Sequence, residues 1–387
     1  MTQEEPRRQL ASVSPPACFC CPSVSTIVSS VTTILLFCFV FVSSIPSASL
    51  AFSNNLPVHT LLLCRHGDSV WNGGQPGCEE RFTGWTDVEL SQQGCQEAME
   101  AAAQLASYFY DIDCIFTSML QRALDTTDAC LTALGNNQKE LPPVICDYRL
   151  AERHYGALQG LVKKDVEEGN SVFGYCPDLV EKWRRSWHTQ PPTLDDNDER
   201  RIMEVDRLAE ICGGAHNVPK GESLAMVAQN RVRPFLNEVV TPALNLAAKL
   251  KSQLSQKNVE EELTAGLVVA HANSLRALIG CLCEVEDDPV ALGILESLRI
   301  PTGVPLVIHY QQLPNGRFRA CPLPEPDECL IQDNWGYFNK PKEAPPNLGH
   351  PNLPVWPLDT CIPLEERTRA DFFSAFANAA EDTYSRR

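Results

Sequence analysis

Apolar positions along the chain fall in short continuous runs separated by longer amphipathic stretches. Leu61-Leu62-Leu63 is such a run; it stops at Arg65-His66-Gly67, which predicts a short buried strand to Cys64. A long loop, Gly67 to Leu90, follows. Ser91 is placed to cap a helix whose apolar residues Ala98, Ala101, Ala102, Leu105 and Phe109 share one face. Ile112 to Phe116 reads as a second strand, then Ser118 as the cap of a helix carrying Arg122, Ala123, Thr126 and Leu131. Residues 150 to 222 are polar and irregular, and read as helical insertions that cap a site. Gly221-Glu222-Ser223 opens a helix running towards Leu236. Leu267 to Ala270 is a third buried strand ending at His271, with a helix from Ser274 to Cys283 behind it. Val304 to Tyr310 is the last strand. Strands alternating with helices predict an α/β fold, a three-layer sandwich with a mostly parallel sheet flanked by helices.

Both ends of the chain depart from this pattern. Arg7 and Arg8 precede an apolar stretch from Ile27 to Val42, 16 residues interrupted by Ser29, Ser30, Thr32 and Thr33. A membrane span wants about 20 apolar residues. Small residues follow in SSIPSASLAF, so residues 1–52 read as a signal or targeting segment, cleaved after Ser49 or Ala51. The Ala51-Phe52 junction resembles that of bipartite presequences directed to secondary plastids. Secretory-route targeting is therefore expected; a membrane-anchored or cytoplasmic location is the alternative. Membrane contact is expected only through this segment, if uncleaved. Residues 59–312 form the expected catalytic domain. After Leu313 prolines crowd, 11 of the 29 lying between Pro314 and Pro363, so residues 313–387 read as a proline-rich extension with a terminal helix, Leu364 to Tyr384.

A net charge of −17 argues against a nucleic-acid partner. An anionic ligand would need a local cluster of Arg and Lys. The 17 cysteines include four near the start; the other 13 are scattered without C-x-x-C spacing, which argues against a zinc site, and no metal is expected.

His66 and His271 each follow a short apolar strand, at matching positions of a parallel sheet. Ligands bind at such strand exits. Alone, either would read as an ordinary structural histidine. Arg65 precedes the first, and Asn273 and Ser274 follow the second. Arg122, near the start of a helix, joins Arg65 as a fork for a dianionic phosphoryl group; its plainer reading is a solvated helix arginine. The run AERHYGALQG holds Glu152, a candidate proton carrier for transfer to and from a hydroxyl.

These motifs resemble the 2,3-bisphosphoglycerate-dependent phosphoglycerate mutases of the histidine phosphatase superfamily. The matching runs are RHGDSVWN, RFTGWTDVELSQQG, TSMLQRALDT, ERHYGALQGLVK, KWRRSW with two prolines after it, AHANSLRALIG and IPTGVPL, in family order. The resemblance implies interconversion of 3- and 2-phosphoglycerate, with His66 as the phosphorylated nucleophile. Arg65, Arg122 and His271 would hold the phosphoryl oxygens, supported by Asn72, and Glu152 would be general acid and base. Thr83 and Gly84 would contact substrate. Tyr155, Lys163, Arg184, Arg185 and Asn273 would bind its carboxylate and phosphate. The resemblance also implies 2,3-bisphosphoglycerate as phosphoryl primer and a homo-oligomer.

Three positions depart from the family. Asp68 stands where glutamate is usual. Ala272 replaces a glycine, and its methyl would clash if that residue had a positive φ. The loop GGQPGCEE before Arg81 is longer than usual and is expected to bulge into solvent. Two rivals remain open at this stage. One is a phosphatase of the same superfamily, with water accepting the phosphoryl group. The other is a non-catalytic binding protein that uses the proline-rich arm.

Overall fold

Strand β1 (His59–Arg65) is buried at every position up to Cys64, which explains why its sequence is a continuous apolar run rather than an alternating one. Among the described residues it lies inside a six-stranded sheet, in the order Val144–Cys146, Cys114–Thr117, Thr264–Ala270, β1, Pro305–Gln312, Phe318–Ala320. The computed structural model describes residues 56–320, apart from 74–76, 109–111, 136–140, 170–176, 256, 260–261 and 263. The expected targeting segment, the terminal helix and most of the proline-rich arm lie outside the described residues.

Strands β2 (Cys114–Thr117), β3 (Val144–Cys146) and β4 (Thr264–Ala270) run parallel to β1. Strands β5 (Pro305–Gln312) and β6 (Phe318–Ala320) close one edge antiparallel. The sheet is thus mostly parallel, as expected. The short edge strands β3 and β6 have no periodic signature in so few residues. β6 also corrects the boundary drawn at Leu313. Phe318 is buried against Tyr310, ring centroids 5.9 Å apart, so the sheet continues into the stretch assigned to the arm.

Helices cover both faces. On one, α1 (Gln92–Tyr108) and α2 (Gln121–Gly135) set Ala101, Leu105, Ala123 and Cys130 against Leu62, Cys64, Leu267 and Val269. On the other, a helical run α6, from Leu224–Val227 through to Thr241–Ser255, packs beside α7 (Ala272–Cys283). Their Val232, Phe235, Leu244, Leu275 and Leu278 meet Leu61, Leu63, Phe116 and Val268. Successive residues of β1 enter opposite layers, and each buried leucine stabilises the fold by roughly 1.5–3 kcal/mol before its ordering cost is counted. The α6 run passes the expected end at Leu236. Pro234 has no N–H to give, and the chain stays helical through π-turns on either side of it, Ala228–Val232 and Leu236–Val240. Between β3 and α6 the described residues include the short α-helices α3 (Lys163–Glu167), α4 (Pro177–Arg185) and α5 (Glu199–Leu208), within the stretch expected to hold helical insertions. No described helix is long and apolar enough to cross a membrane.

Candidate active site

The register of the sheet makes the site. β1 and β4 are parallel neighbours with Arg65 opposite Ala270, and the next residue of each strand is a histidine. His66 N–H bonds the Ala270 carbonyl at 3.0 Å, and the two imidazole centroids are 5.0 Å apart. A Cβ on Gly67 would lie 2.1 Å from the Gly94 carbonyl oxygen. The chain therefore leaves β1 tight against the start of α1, where Ser91 Oγ caps the helix by accepting from Gly94 N–H at 3.0 Å. Ser91 also donates to Asp68 Oδ2 at 2.6 Å, so the carboxylate of Asp68 is held at this cap.

Only one tautomer of His66 satisfies its two bonds. Nδ1 lies 2.6 Å from the Gly67 carbonyl, which can only accept, so Nδ1 carries the proton. Nε2 lies 3.3 Å from Arg122 Nε, which can only donate, so Nε2 presents its lone pair. Burial, reinforced by Arg122 and Arg65, holds the His66 pKa well below 6.5; burial and Arg122 do the same for His271. Both rings are neutral at pH 7. Arg122 is fixed by donating to the Thr86 and Gly84 carbonyls at 3.0 Å each. Burial lowers its pKa to about 10, so it stays charged. Arg65 donates to the Ile300 carbonyl at 2.9 Å, and its buried Nε has no hydrogen-bond partner among the described residues. Ser118 does not cap α2. It stands three residues before that helix, at the exit of β2, and its hydroxyl is hydrogen bonded to His271 Nε2 at 2.8 Å. The first N–H of α2, that of Gln121, instead meets Asp87 Oδ1 at 2.8 Å.

A second wall faces this pocket. Glu152 Oε1 accepts from the backbone N–H of Arg153 at 2.7 Å and of Asn273 at 3.2 Å. Asn273 is in the first turn of α7, where the helix dipole favours an anion. The Asn273 side-chain amide donates to the Tyr155 hydroxyl at 2.9 Å. Burial alone would raise the Tyr155 pKa, but Arg153 and Lys163 bring it below its ordinary value. Arg153 is fully buried, its guanidinium 4.8 Å from the Tyr155 ring centroid and bonded to the Arg184 carbonyl. Arg184 and Arg185 line a cavity of about 550 Å³ together with Arg299 and Glu167. A neutral imidazole, fixed guanidinium groups beside it and a nearby carboxylate are the parts that phosphoryl transfer needs.

Residues 61–232 match the histidine phosphatase superfamily (branch 1). A 2,3-bisphosphoglycerate-dependent phosphoglycerate mutase of Baumannia cicadellinicola is 37% identical over 255 residues, 66% of this chain and 92% of the relative. The enzyme of the same name from Neisseria meningitidis serogroup C is 40% identical over 247 residues, 64% of this chain and 92% of the relative. The chain belongs to the 2,3-bisphosphoglycerate-dependent phosphoglycerate mutase family. A solved phosphoglycerate mutase from Bacillus anthracis superposes with a TM-score of 0.39 at 16% identity, covering 69% of this chain and 93% of that one.

The mutase-family positions are not all brought together. Arg65, His66, Arg122 and His271 form one pocket; Glu152, Tyr155 and Asn273 form the wall beside it. Lys163, Arg184 and Arg185 are only partly buried and form the outer positions. Asn72, Thr83 and Gly84 each hold a bond within the chain. Asn72 accepts from the Ser69 hydroxyl, and Thr83 Oγ1 bonds the Arg81 carbonyl at 3.4 Å. Gly84 gives its carbonyl to Arg122. Ala272 is settled by its backbone: it is the first residue of α7 and has no positive φ, so its methyl brings no strain. Sequence reasoning placed Arg153 in a polar run without giving it a role, and passed over Arg276. Arg276 is buried, donates to Asn273 Oδ1 and to the Leu298 carbonyl, and has its pKa lowered to about 10, first by burial and then by Arg153. The signal was available, since Arg276 lies one helical turn after Asn273 on the same face.

Glu152 is itself held by a buried ion pair that no motif marked. Arg231 Nε and Nη2 donate to the two oxygens of Glu222, each at 2.8 Å. The same guanidinium donates to the carbonyls of Arg149, Ala151 and Glu152 at 3.1, 2.8 and 3.2 Å. Arg231→Met would leave the Glu222 carboxylate buried without its charge partner. The expected loss is about 3–5 kcal/mol in urea unfolding, partly recovered by Arg231→Met with Glu222→Leu. A loss under about 1 kcal/mol would mean that the pair does not hold this segment.

Proposed function

We propose that this chain interconverts 3-phosphoglycerate and 2-phosphoglycerate through a phosphohistidine at His66 Nε2. The observation that carries this is the one-lone-pair geometry of His66, with Nε2 aimed at Arg122 and Nδ1 committed to Gly67. In the forward step a bond forms between Nε2 and phosphorus as the bond from phosphorus to the leaving oxygen breaks. Arg122 and Arg65 meet the charge on the equatorial oxygens, and His271, neutral and tied to Ser118, lines the same pocket. Glu152 in its acid form gives a proton to the leaving oxygen, and as carboxylate takes one from the hydroxyl that receives the group.

The unpartnered Arg65 Nε, the buried Arg153 and the outer cations Lys163, Arg184 and Arg185 suit a ligand with two anionic ends. The residues that would hold 2,3-bisphosphoglycerate are therefore Arg65, Arg122 and His271 at one end and those cations with Tyr155 and Asn273 at the other. When bound, it supplies the phosphoryl group that primes His66.

The outer cations favour the mutase over a phosphatase, because an acceptor held by its own carboxylate keeps a hydroxyl where water would otherwise attack. Phosphorus NMR of the protein with 3-phosphoglycerate and a catalytic amount of 2,3-bisphosphoglycerate tests this. The expected product is 2-phosphoglycerate; inorganic phosphate as the only product would replace the reading with hydrolysis.

A further inference from the structure

Two of the outer cations already hold a carboxylate of the chain. Lys163 Nζ is paired with Glu80, and Arg184 with Glu167. The Glu80 pair is not a loose surface contact. The Glu80 carbonyl accepts the Lys163 N–H at 2.8 Å, and Arg81 forms a bridge with Val162. The exit of the long Gly73 to Glu80 loop is thus clamped along the segment that carries Lys163. The lysine side chain is 19% exposed and sits 5.9 Å from the Phe82 ring centroid, while Glu80 is 48% exposed and free to swing into water.

We propose that Glu80 is a specificity-determining residue, an internal counter-anion that occupies Lys163 until a phosphoglycerate displaces it. The proposal rests on the assignment of Lys163 to substrate. A ligand must outcompete a preformed pair before it gains the lysine. A molecule carrying both a phosphate and a carboxylate can do so, because its other groups are held at the same time by Arg65, Arg122 and Arg185. A single small anion has no such second hold, so Glu80 weakens inorganic anions and raises selectivity for the two-ended substrate. The expected solvent bulge therefore has one end inside the site.

The test compares the full chain with Glu80→Gln, Lys163→Ala and the double variant, reading kcat, KM for 3-phosphoglycerate and the inhibition constant of sulfate. Glu80→Gln is expected to lower the sulfate constant by about 2- to 5-fold, the range of a partly exposed ion pair, and KM by a smaller factor, with kcat moving least. Lys163→Ala is expected to raise KM, and the double variant to behave like Lys163→Ala, because Glu80 acts through the lysine. If Lys163→Ala raises KM while Glu80→Gln leaves both constants unchanged, lowers them by the same factor or raises KM, the specificity role is overturned. If Lys163→Ala leaves KM unchanged, the assignment of Lys163 fails, and the proposal with it.

Discussion

His66→Ala is expected to abolish phosphorylation of the protein by labelled 2,3-bisphosphoglycerate and to lower mutase turnover by at least about 10⁴-fold. The reason is geometric. Of the four imidazole nitrogens in the paired rings, Nε2 of His66 is the one whose lone pair the hydrogen bonds define, with the Gly67 carbonyl committing Nδ1 and Arg122 marking the attack face. The isomer of phosphohistidine is therefore part of the expectation: phosphorus on Nε2, not Nδ1. Phosphorus NMR of the denatured, alkaline-quenched enzyme distinguishes the two. His271→Gln is expected to label more slowly but still to label, since His271 lines the pocket and its Nε2 is hydrogen bonded to Ser118. Labelling of His66→Ala at the native rate would remove His66 from the chemistry. Label on Nδ1 would keep the residue but overturn the geometry. Because removing His66 takes a partner from buried Arg122, a thermal unfolding midpoint measured on the same sample separates a dead site from an unfolded one.

Much of this site was legible because the parallel sheet reports itself in sequence. A buried strand is a short apolar run, and the residue after it is at the sheet's carboxyl end, so His66 and His271 were placed together from pattern alone. The register then did the rest, as Arg65 lies opposite Ala270. Longer-range partners left no such trace. Ser118 read as a helix cap because serine before a helix usually is one; only the adjacency of β2 and β4 shows that its hydroxyl belongs to His271. Arg231 reads as one more charged residue in a helix until the fold brings Glu222 and three carbonyls around it. The π-turns at Pro234 were hidden for another reason. A proline signals a helix end, and the sequence carries no mark that neighbouring turns will widen to keep the run going. Glu80 was hidden by its loop, whose composition suggested solvent and whose clamp onto Lys163 is a backbone contact.

Stability is expected to fall steeply as pH drops below about 6.5, because four buried histidines are neutral in the folded chain. Burial lowers the His59 pKa to about 4, against a smaller opposing effect of its bond to Asn245, and lowers that of His309 to about 3. His66 and His271 lie well below 6.5, through burial first and the nearby arginines second. The sign follows from proton counting. Between the unfolded pKa of about 6.5 and each folded value, the unfolded chain binds the proton and the folded chain does not, so stability rises with pH through that window and is level above it. Each histidine contributes up to about 1.4 kcal/mol per pH unit, so His59 alone accounts for roughly 3 kcal/mol between pH 6.5 and 4. Asp68 and Asp125, raised first by burial, pull the other way, but only near the acid end where carboxylates titrate. Urea unfolding at pH 8, 7, 6 and 5 should show a plateau and then a slope, and His309→Asn should flatten that slope by up to one histidine's share. A flat profile to pH 5 would mean that these rings take up protons in the folded state. The two halves of this prediction separate when a phosphate analogue is bound. An anion beside His66 and His271 raises their pKa values and removes their share of the slope, while His59 and His309, outside the pocket, keep theirs. Burial first, and the arginines second, keep His66 neutral enough to attack phosphorus, and the same two causes give the two pocket histidines their share of the ligand-free enzyme's acid sensitivity.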